Sequence, residues 1–174
     1  MSNRVLNVLN ALKKRINEHQ TLIQQTYGEV FNVQFTWNES ASIEDVESIC
    51  RTTGWVIPDD YKSFLLIHNG ASLFSSEGSC FRLHPLSEIK EYFNDYHHNE
   101  DVLYKFAYPP EWYMIGTYHG FGEYAFIDSD RVTQGRTDYL IFVEEGSITR
   151  TKLNFEEWLD RFIVCQGEHF WNWN

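Results

Sequence analysis

Residues 55–71 read WVIPDDYKSFLLIHNGA, and this stretch predicts one complete helix with its start, buried face and end. Pro58 fits a first helical position, where no amide donor is needed, and Asp59 and Asp60 complement the positive end of the helix dipole. Gly70 supplies a left-handed exit. An apolar stripe occupies one side of the helix, formed by Tyr61, Phe64, Leu65 and His68 and widened by Leu66 and Ile67. These residues serve helix formation and burial, so the stretch indicates a scaffold and names no reaction.

The composition is typical of one folded domain. The chain has 174 residues, of which 43% are hydrophobic and 17% aromatic, and it is long enough to bury a core. No apolar run approaches the roughly 18 to 20 residues that cross a bilayer, and the N-terminus lacks the apolar core of a signal peptide. We therefore expect a cytoplasmic protein with no membrane partner. The cysteines have no Cys-x-x-Cys spacing, which favours buried, reduced thiols at Cys50, Cys80 and Cys165.

The charge is strongly acidic and unevenly distributed. Fourteen basic and 25 acidic residues give a net charge of −11. Residues 1–30 carry four basic and two acidic side chains, a local balance of +2, so the remainder carries −13. Such a field repels nucleic-acid phosphates and favours basic partners, although ordinary solubility also explains it. We expect no direct binding to nucleic acid.

Residues 1–30 predict an N-terminal helix that packs on its own domain. Apolar side chains recur at helical spacing from Val5 to about Thr26, which predicts about five turns. The repeat is shorter than the three or four heptads typical of a coiled coil. Gly28 ends the helix, and residues 31–37 alternate between apolar and polar, which predicts a half-buried strand.

The middle of the chain predicts helices separated by turns. Ser42 and Asp45 form a start similar to a capping box, and Gly54 ends that helix. After the signature stretch, residues 72–79 have turn composition, and residues 81–86 predict a short strand. Ser87 fits the N-cap of a further helix. Residues 94–111 are irregular and predict a surface loop or a short helix.

The last third is rich in strands. Residues 112–116, 124–128, 139–144 and 147–153 predict strands, the last two joined as a hairpin, and Asn154 with Glu157 caps a closing helix. The order of elements predicts an α+β fold. We expect a single domain with a mostly antiparallel sheet of about five to six strands packed with several helices.

Several short motifs in a fixed order resemble the SUKH superfamily. They are Ile57-Pro58-x-x-Tyr61-Lys62-x-Phe64-Leu65, Asn69-Gly70, Leu86-x-Glu88-Ile89, Ile115-Gly116, Gly120-x-Gly122-Glu123-Tyr124-x-x-Ile127-Asp128 and Phe155-x-x-Trp158-Leu159. The motifs span about residues 42–164, and the SUKH-like domain would occupy residues 31–174. The leading helix lies outside it.

The resemblance implies a domain that binds another protein. Bacterial members resemble immunity proteins that neutralise polymorphic toxins by direct contact. This chain would then bind a cognate toxin, possibly a basic nuclease domain, as a monomer or a weak homodimer. The fungal members resemble scaffolds in cell-wall signalling, and a scaffold or regulator of the same fold remains the alternative function.

No residue pattern in the sequence predicts an enzyme. The glycine-rich run 116–122 lies between two strands, whereas a phosphate-binding loop leads into a helix. His97 and His98 lie beside Glu100 and Asp101 without the spacing of a metal site. The three cysteines have no local signature of a nucleophile. We expect no catalytic residue, no cofactor and no metal.

The loops offer two candidate surfaces for a protein partner. The first consists of Tyr118, His119, Phe121 and Glu123, and the second lies around Tyr96, Glu100 and Asp101. Aromatic anchors with neighbouring acids suit a basic partner, although an ordinary surface loop explains both sets as well. Glu88 and Asp128 are further candidates, with helix-dipole compensation and turn capping as their structural alternatives. The aromatic tail 169–174 is expected to dock on the body of the domain.

Overall fold

An antiparallel sheet in strict chain order organises the molecule. The structure, a computed structural model, describes residues 3–25, 28–98 and 108–173, and within these ranges the sheet has eight strands in the order β1 to β8. The elements are α1 (Asn3–Arg15), β1 (Gln20–Gln24), β2 (Val30–Trp37), α2 (Ile43–Thr53), α3 (Asp59–Leu65), β3 (Ala71–Ser76), β4 (Ser79–Leu83), α4 (Leu86–His98), β5 (Trp112–His119), β6 (Glu123–Asp128), α5 (Ser129–Thr133), β7 (Leu140–Glu144), β8 (Ser147–Arg150), α6 (Phe155–Val164) and a final 3-10 turn (Phe170–Asn172). The predicted α+β fold is confirmed.

The connections between strands separate into two kinds at the two ends of the sheet. Successive antiparallel strands reverse direction, so every second connection emerges at the same end. Short turns link β1 to β2, β3 to β4, β5 to β6 and β7 to β8 at one end. The connections at the other end carry α2 and α3, α4, and α5. One end is therefore built from tight turns and the other from helices.

Local helix signals in the sequence are confirmed by the structure. Ser42 and Asp45 form a complete capping box at the start of α2, and Gly54 ends it with φ of 77°. Asn154 and Glu157 form a second complete capping box at the start of α6. Asp128 caps α5 by accepting the Arg131 amide. These signals depend only on a few adjacent residues, so they are readable without the tertiary structure.

The signature helix is shorter than the sequence predicts. Helix α3 ends at Leu65, and Gly70 instead opens β3 with φ of 96°. A Cβ on Gly70 would lie 2.8 Å from the Leu83 carbonyl oxygen, so close approach to β4 also requires glycine there. His68 lies in the connection between α3 and β3, half-buried, and its Nδ1 lies 2.9 Å from the Asn38 carbonyl oxygen.

The predicted N-terminal helix to about Thr26 is wrong beyond Arg15. Glu18 and His19 adopt left-handed backbone angles, with φ of 47° and 69°, and reverse the chain into β1. Strand β1 then pairs antiparallel with β2. The apolar residues Leu9, Ile16 and Ile23 are seven positions apart and fit a helix. Strand β1 has only five residues, and its two apolar residues, Leu22 and Ile23, are adjacent, so it lacks the apolar–polar alternation that marks a strand. Thr26 itself lies outside the described residues.

Strand β3 is the second strand, after β1, that the sequence does not predict, and it lies in a segment of turn composition. Residues 72–79 are β3, a two-residue turn and the start of β4, and this explains, together with β1, why the sheet exceeds five to six strands. Ser and Gly dominate the segment, yet Leu73 and Phe74 within it are buried. Phe74 has a positive φ of 53°, and the β3–β4 register shifts between Leu73 and Ser76.

The main core lies between one sheet face and helices α1, α3 and α6. The buried side chains of α1 belong to this same core. They are Val5, Leu9 and Leu12. A smaller apolar cluster lies on the opposite face, around Trp112, Met114 and Phe126, with Tyr92 of α4 against it. The three cysteines are free and half-buried, and so are less enclosed than predicted.

A buried carboxylate joins three elements of the main core. Asp60 is 8% exposed and accepts hydrogen bonds from the Tyr139 hydroxyl and from the Glu156 amide, the latter at 3.0 Å. The Tyr139 oxygen in turn accepts the Phe155 amide at 3.1 Å. The α3 N-terminus, the start of β7 and the α6 N-terminus are thus held to one another. The sequence pattern predicts the same dipole role for Asp59 and Asp60, whereas only Asp60 is buried.

We expect Asp60→Ala to lower the free energy of unfolding by about 2–4 kcal/mol, because a buried hydroxyl and a helix-end amide lose their acceptor. Asp59→Ala is the matched control. It removes the same charge from the same helical turn at an exposed position and should cost under about 1 kcal/mol. Urea denaturation of both variants measures the difference. Equal losses would contradict the role assigned to Asp60.

Candidate functional site

The end of the sheet that carries the tight turns is the candidate functional site. We call it the hairpin end and define it as residues 25, 28–29, 77–78, 119–122 and 144–146 together with the tail 165–173. The β3–β4 and β5–β6 turns meet directly at Gly120, which has φ of 93° and whose Cβ would collide with the Gly78 carbonyl oxygen. Glycine is therefore required for the two turns to lie side by side.

The tail crosses the hairpin end and fixes it to the core. The Gln166 side chain accepts the Gln24 amide of β1 at 2.8 Å, and the Tyr118 hydroxyl of β5 donates to the Gly167 carbonyl oxygen at 2.6 Å. Trp171 stacks on Phe142 of β7 with ring centroids 4.2 Å apart. The tail therefore touches strands from β1 to β7, and its predicted docking is observed. Trp173 remains 62% exposed.

A buried carboxylate lies beneath the tail. Glu123 is 1% exposed, and its Oε1 accepts the Trp171 indole N–H at 2.6 Å. Its Oε2 lies 3.4 Å from His169 Nδ1 but makes no hydrogen bond with any described residue. Burial raises the pKa of Glu123 to about 7, against the opposing effect of the Trp171 hydrogen bond. Burial also lowers the pKa of His169 to about 4, so the histidine is neutral at pH 7.

The first predicted contact surface divides into buried and exposed residues. Tyr118 is 5% exposed and Glu123 1%, so these two hold the turn and the tail from within, contrary to the expectation that they face a partner. Glu123 can lie on the core-facing side of β6 because the Trp171 indole N–H, from a remote part of the chain, donates a hydrogen bond to it. His119 and Phe121 are exposed as expected. Phe121 lies with its ring 4.9 Å from that of Tyr118 and 4.5 Å from that of His169.

Glu88 lies away from the hairpin end, on the sheet face opposite the main core. It accepts a hydrogen bond from Arg82 at 2.5 Å and lies 3.2 Å from His84 Nδ1. The other ring nitrogen of His84 lies 2.8 Å from the Thr117 hydroxyl. Burial and the neighbouring Arg82 lower the pKa of His84 to about 4. All of these polar groups have intramolecular partners, so the cluster joins α4 to β4 and β5.

The sequence analysis singled out Glu88 but missed His84 and its grouping with Arg82 and Thr117. A signal was present, because Arg82 and His84 alternate with Phe81 and Leu83 and so share one face of β4. Glu88 follows His84 by four residues. The sequence could not show that Thr117 would pair across from Arg82.

Asp128 is 6% exposed and is likewise committed to partners within the chain. Its carboxylate caps α5 and pairs with Arg150 at 3.1 Å. The Arg150 guanidinium lies over the Trp112 ring, 4.8 Å from its centroid. The turn-capping role expected of Asp128 is therefore present.

The structure describes only part of the second predicted surface. Tyr96 belongs to α4, but its side chain is outside the described part of the structure. Glu100 and Asp101 lie outside the described residues.

The charge of the hairpin end is of a single sign. Its sequence carries five glutamates outside the buried Glu123 and contains no lysine or arginine. They are Glu29, Glu77, Glu144, Glu145 and Glu168. Phe121 lies in the β5–β6 turn of the same end and is 50% exposed. An exposed apolar ring on an end that carries only acidic charge suits a basic protein surface better than a phosphate or an anionic ligand.

Metal ligands and membrane-spanning helices would indicate other kinds of site. In residues 3–25, 28–98 and 108–173, no three His, Cys, Asp or Glu side chains are grouped to hold a metal ion. Over the same ranges, none of the helices combines the length and the apolarity that a membrane span needs.

Residues 40–161 match the model of the SMI1 / KNR4 family (SUKH-1). The chain belongs to this family. It is also similar to two proteins of Bacillus subtilis (strain 168). The uncharacterized protein YobM is 30% identical over 182 residues, covering 99% of this chain and 94% of YobM. The uncharacterized protein YnaB is 30% identical over 145 residues, covering 80% of this chain and 88% of YnaB. The resemblance to the SUKH superfamily is confirmed.

The Glu123 carboxyl predicts a pH dependence of stability. Its pKa is about 7 in the folded protein and ordinarily 4.5, so the folded state holds the proton more tightly. Its stabilising contribution is therefore complete below about pH 4.5 and is lost as the pH rises to about 7. We expect Glu123→Gln to gain about 1–2 kcal/mol relative to the native protein between pH 4.5 and pH 8.

Urea denaturation at several pH values measures this gain, and Glu77→Gln is the control for removal of an exposed charge from the same end. The pKa of folded His169 is about 4, so this histidine stays neutral over most of the range, and the comparison therefore reports on Glu123. A constant difference between Glu123→Gln and the native protein over this range would contradict the burial of an ionisable carboxyl.

Proposed function

We propose that this protein is an immunity protein that binds a cognate toxin by direct contact and neutralises it, with the hairpin end as the docking surface. Family membership supports a protein partner. The observation that carries the choice of surface is the hairpin end itself, which has acidic turns, an exposed Phe121 and no lysine or arginine in its sequence. A basic toxin, such as a nuclease domain, would complement it.

The proposed inhibition needs binding alone. The negative hairpin end attracts a basic partner over a distance, which raises the rate of productive encounters. Phe121 then enters an apolar recess of the partner and excludes water from the surrounding ion pairs. A surface that binds nucleic acid is itself basic, so a protein that covers it would keep the nucleic-acid substrate from reaching a nuclease toxin. The proposal involves no catalytic residue, cofactor or turnover, and it places the encounter in the cytoplasm.

The geometry supports a preorganised surface. The Phe121 ring contacts those of Tyr118 and His169, and both of these are held from below, Tyr118 through the Gly167 carbonyl oxygen and His169 beside Glu123. A side chain already fixed in its bound position loses less conformational entropy on association. Tight binding through a small number of anchors is consistent with such a surface.

Co-expression with a candidate toxin domain, taken from the genes that neighbour this one, tests the function directly. We expect the protein to restore growth and to form a stable complex with that domain. A complex that forms without protection would favour the scaffold alternative instead. Failure both to bind and to protect would overturn the immunity proposal.

Phe121→Ala should raise the dissociation constant of the complex about 10- to 100-fold, because an anchor at the centre of an interface is removed. Ile43→Ala is the matched control, since Ile43 is 57% exposed and lies on α2 at the opposite end of the sheet. Isothermal titration calorimetry measures both. Similar effects of the two variants would place the interface elsewhere.

Electrostatic steering predicts that removing acids from the hairpin end slows association more than removing the same number of acids from α2. The variant Glu29→Gln/Glu77→Gln should slow association and flatten its dependence on salt, because two exposed acids leave the docking surface. The variant Glu44→Gln/Glu47→Gln changes the net charge equally but on the exposed side of α2. Stopped-flow association rates at several salt concentrations compare them. If both variants slow association equally, only net charge matters and the hairpin end has no special role.

A further inference from the structure

The sheet has two edge strands, β1 and β8, and they differ in how they are covered. At the β1 edge, the outward amide of Gln20 donates to the Asn17 carbonyl oxygen at 2.9 Å. The outward amide of Gln24 donates to the Gln166 side chain at 2.8 Å. Most of the edge that β1 could offer to another strand is therefore already occupied.

Strand β8 is the other edge, and no strand within residues 3–25, 28–98 and 108–173 pairs with its outer side. The Thr151 amide donates to the Leu140 carbonyl oxygen, which identifies residues 140 and 151 as a hydrogen-bonded pair. Since such pairs alternate along an antiparallel ladder, Thr149 and Ser147 also bond to β7. The backbone N–H and C=O groups of Ile148 and Arg150 consequently point away from the sheet. Ser147, Ile148 and Arg150 are exposed, and the Ile148 side chain is 52% exposed.

We propose that β8 pairs antiparallel with β8 of a second copy of this chain, so that one sheet continues through both copies. In this arrangement Ile148 exchanges hydrogen bonds with the partner's Arg150, and Arg150 with the partner's Ile148. The two-fold axis passes beside Thr149. This self-pairing uses all the outward-facing backbone groups of the strand.

The charges along β8 select a second copy rather than an unrelated strand. The strand follows the acidic turn that contains Glu144 and Glu145, and it ends with Arg150 and then the exposed Lys152. Antiparallel pairing about Thr149 places Lys152 beside the turn that contains the partner's Glu145. The basic end of each strand therefore meets the acidic end of the other, whereas a parallel arrangement would oppose like charges.

The same register also covers exposed apolar surface. Ile148 lies on the sheet face opposite the main core, and there it would pack against the aliphatic part of the partner's Arg150. Strand β8 has only four residues, so the contact is small and the dimer is weak. This inference concerns the isolated protein and does not depend on the proposed toxin.

Sedimentation velocity from about 10 µM to about 1 mM tests the association, and we expect a reversible monomer–dimer equilibrium in this range. Ile148→Pro should raise the dimer dissociation constant at least about tenfold. It removes an outward amide that β7 does not use, so the monomer can retain its fold. Ile148→Val keeps the amide and is the control. Circular dichroism and urea denaturation verify that each variant is folded.

A charge exchange gives an independent test of the register. Lys152→Glu and Glu145→Lys should each raise the dissociation constant about three- to tenfold, and the double variant should restore it. Amide hydrogen exchange at high protein concentration should protect Ile148 and Arg150 but leave Leu22 unchanged.

A protein that stays monomeric at about 1 mM would overturn the proposal, as would a dimer that Ile148→Pro leaves intact. If Ile148→Pro does not fold, the charge exchange decides, and a double variant that fails to restore association would reject this register.

Discussion

The Asp60 carboxylate is the constraint on which the arrangement of the core depends. It accepts hydrogen bonds from the Tyr139 hydroxyl and from the Glu156 backbone amide, and so fixes the start of α6 against α3 and β7. A buried acceptor must be matched by donors at fixed positions, because an unpaired carboxylate in the core is costly. The orientation of α6 is therefore set where that helix begins. Apolar packing alone would permit small rotations and translations of the helix.

The orientation of α6 decides where the tail reaches the sheet. The chain leaves α6 near Cys165, and within a few residues it places Gly167 against Tyr118 and Trp171 against Phe142 and Glu123. A polar network at the helical end of the molecule thus positions the surface at the opposite end. The hairpin end can carry acids and an exposed Phe121 because its rigidity comes from the core and the tail beneath it.

The sequence predicts local elements well and remote pairing poorly. The capping boxes at Ser42 and Asn154 depend on residues three positions apart, and both are present. The sequence predicts a helix across β1, because the left-handed turn at Glu18 and His19 involves residue types that do not require it. Glutamate and histidine adopt positive φ only when the surrounding structure favours it. Here the pairing of β1 with β2 supplies that context, and a single sequence does not reveal it.

The same distinction applies to the candidate site. Exposure of Phe121 follows from a glycine-flanked turn between two strands, so the sequence could indicate it. The burial of Glu123 could not be predicted in this way, because its partner Trp171 is 48 residues away and approaches only after α6 has docked. An acid at an inward position of a strand usually marks an edge or an error in register. Here it marks the place where the tail is anchored.

The extent of the family match separates a scaffold from the parts that complete its surface. The SUKH-1 match covers residues 40–161 and therefore includes Asp60, Tyr139 and the turn with Phe121. The β1–β2 hairpin and the tail lie outside that match, yet the tail secures Tyr118 and its Gln166 side chain caps β1. Changes in these two outer segments would alter the charge and shape of the hairpin end without disturbing the Asp60 network. A common core could thus present different docking surfaces, which is the property that recognition of different partners requires.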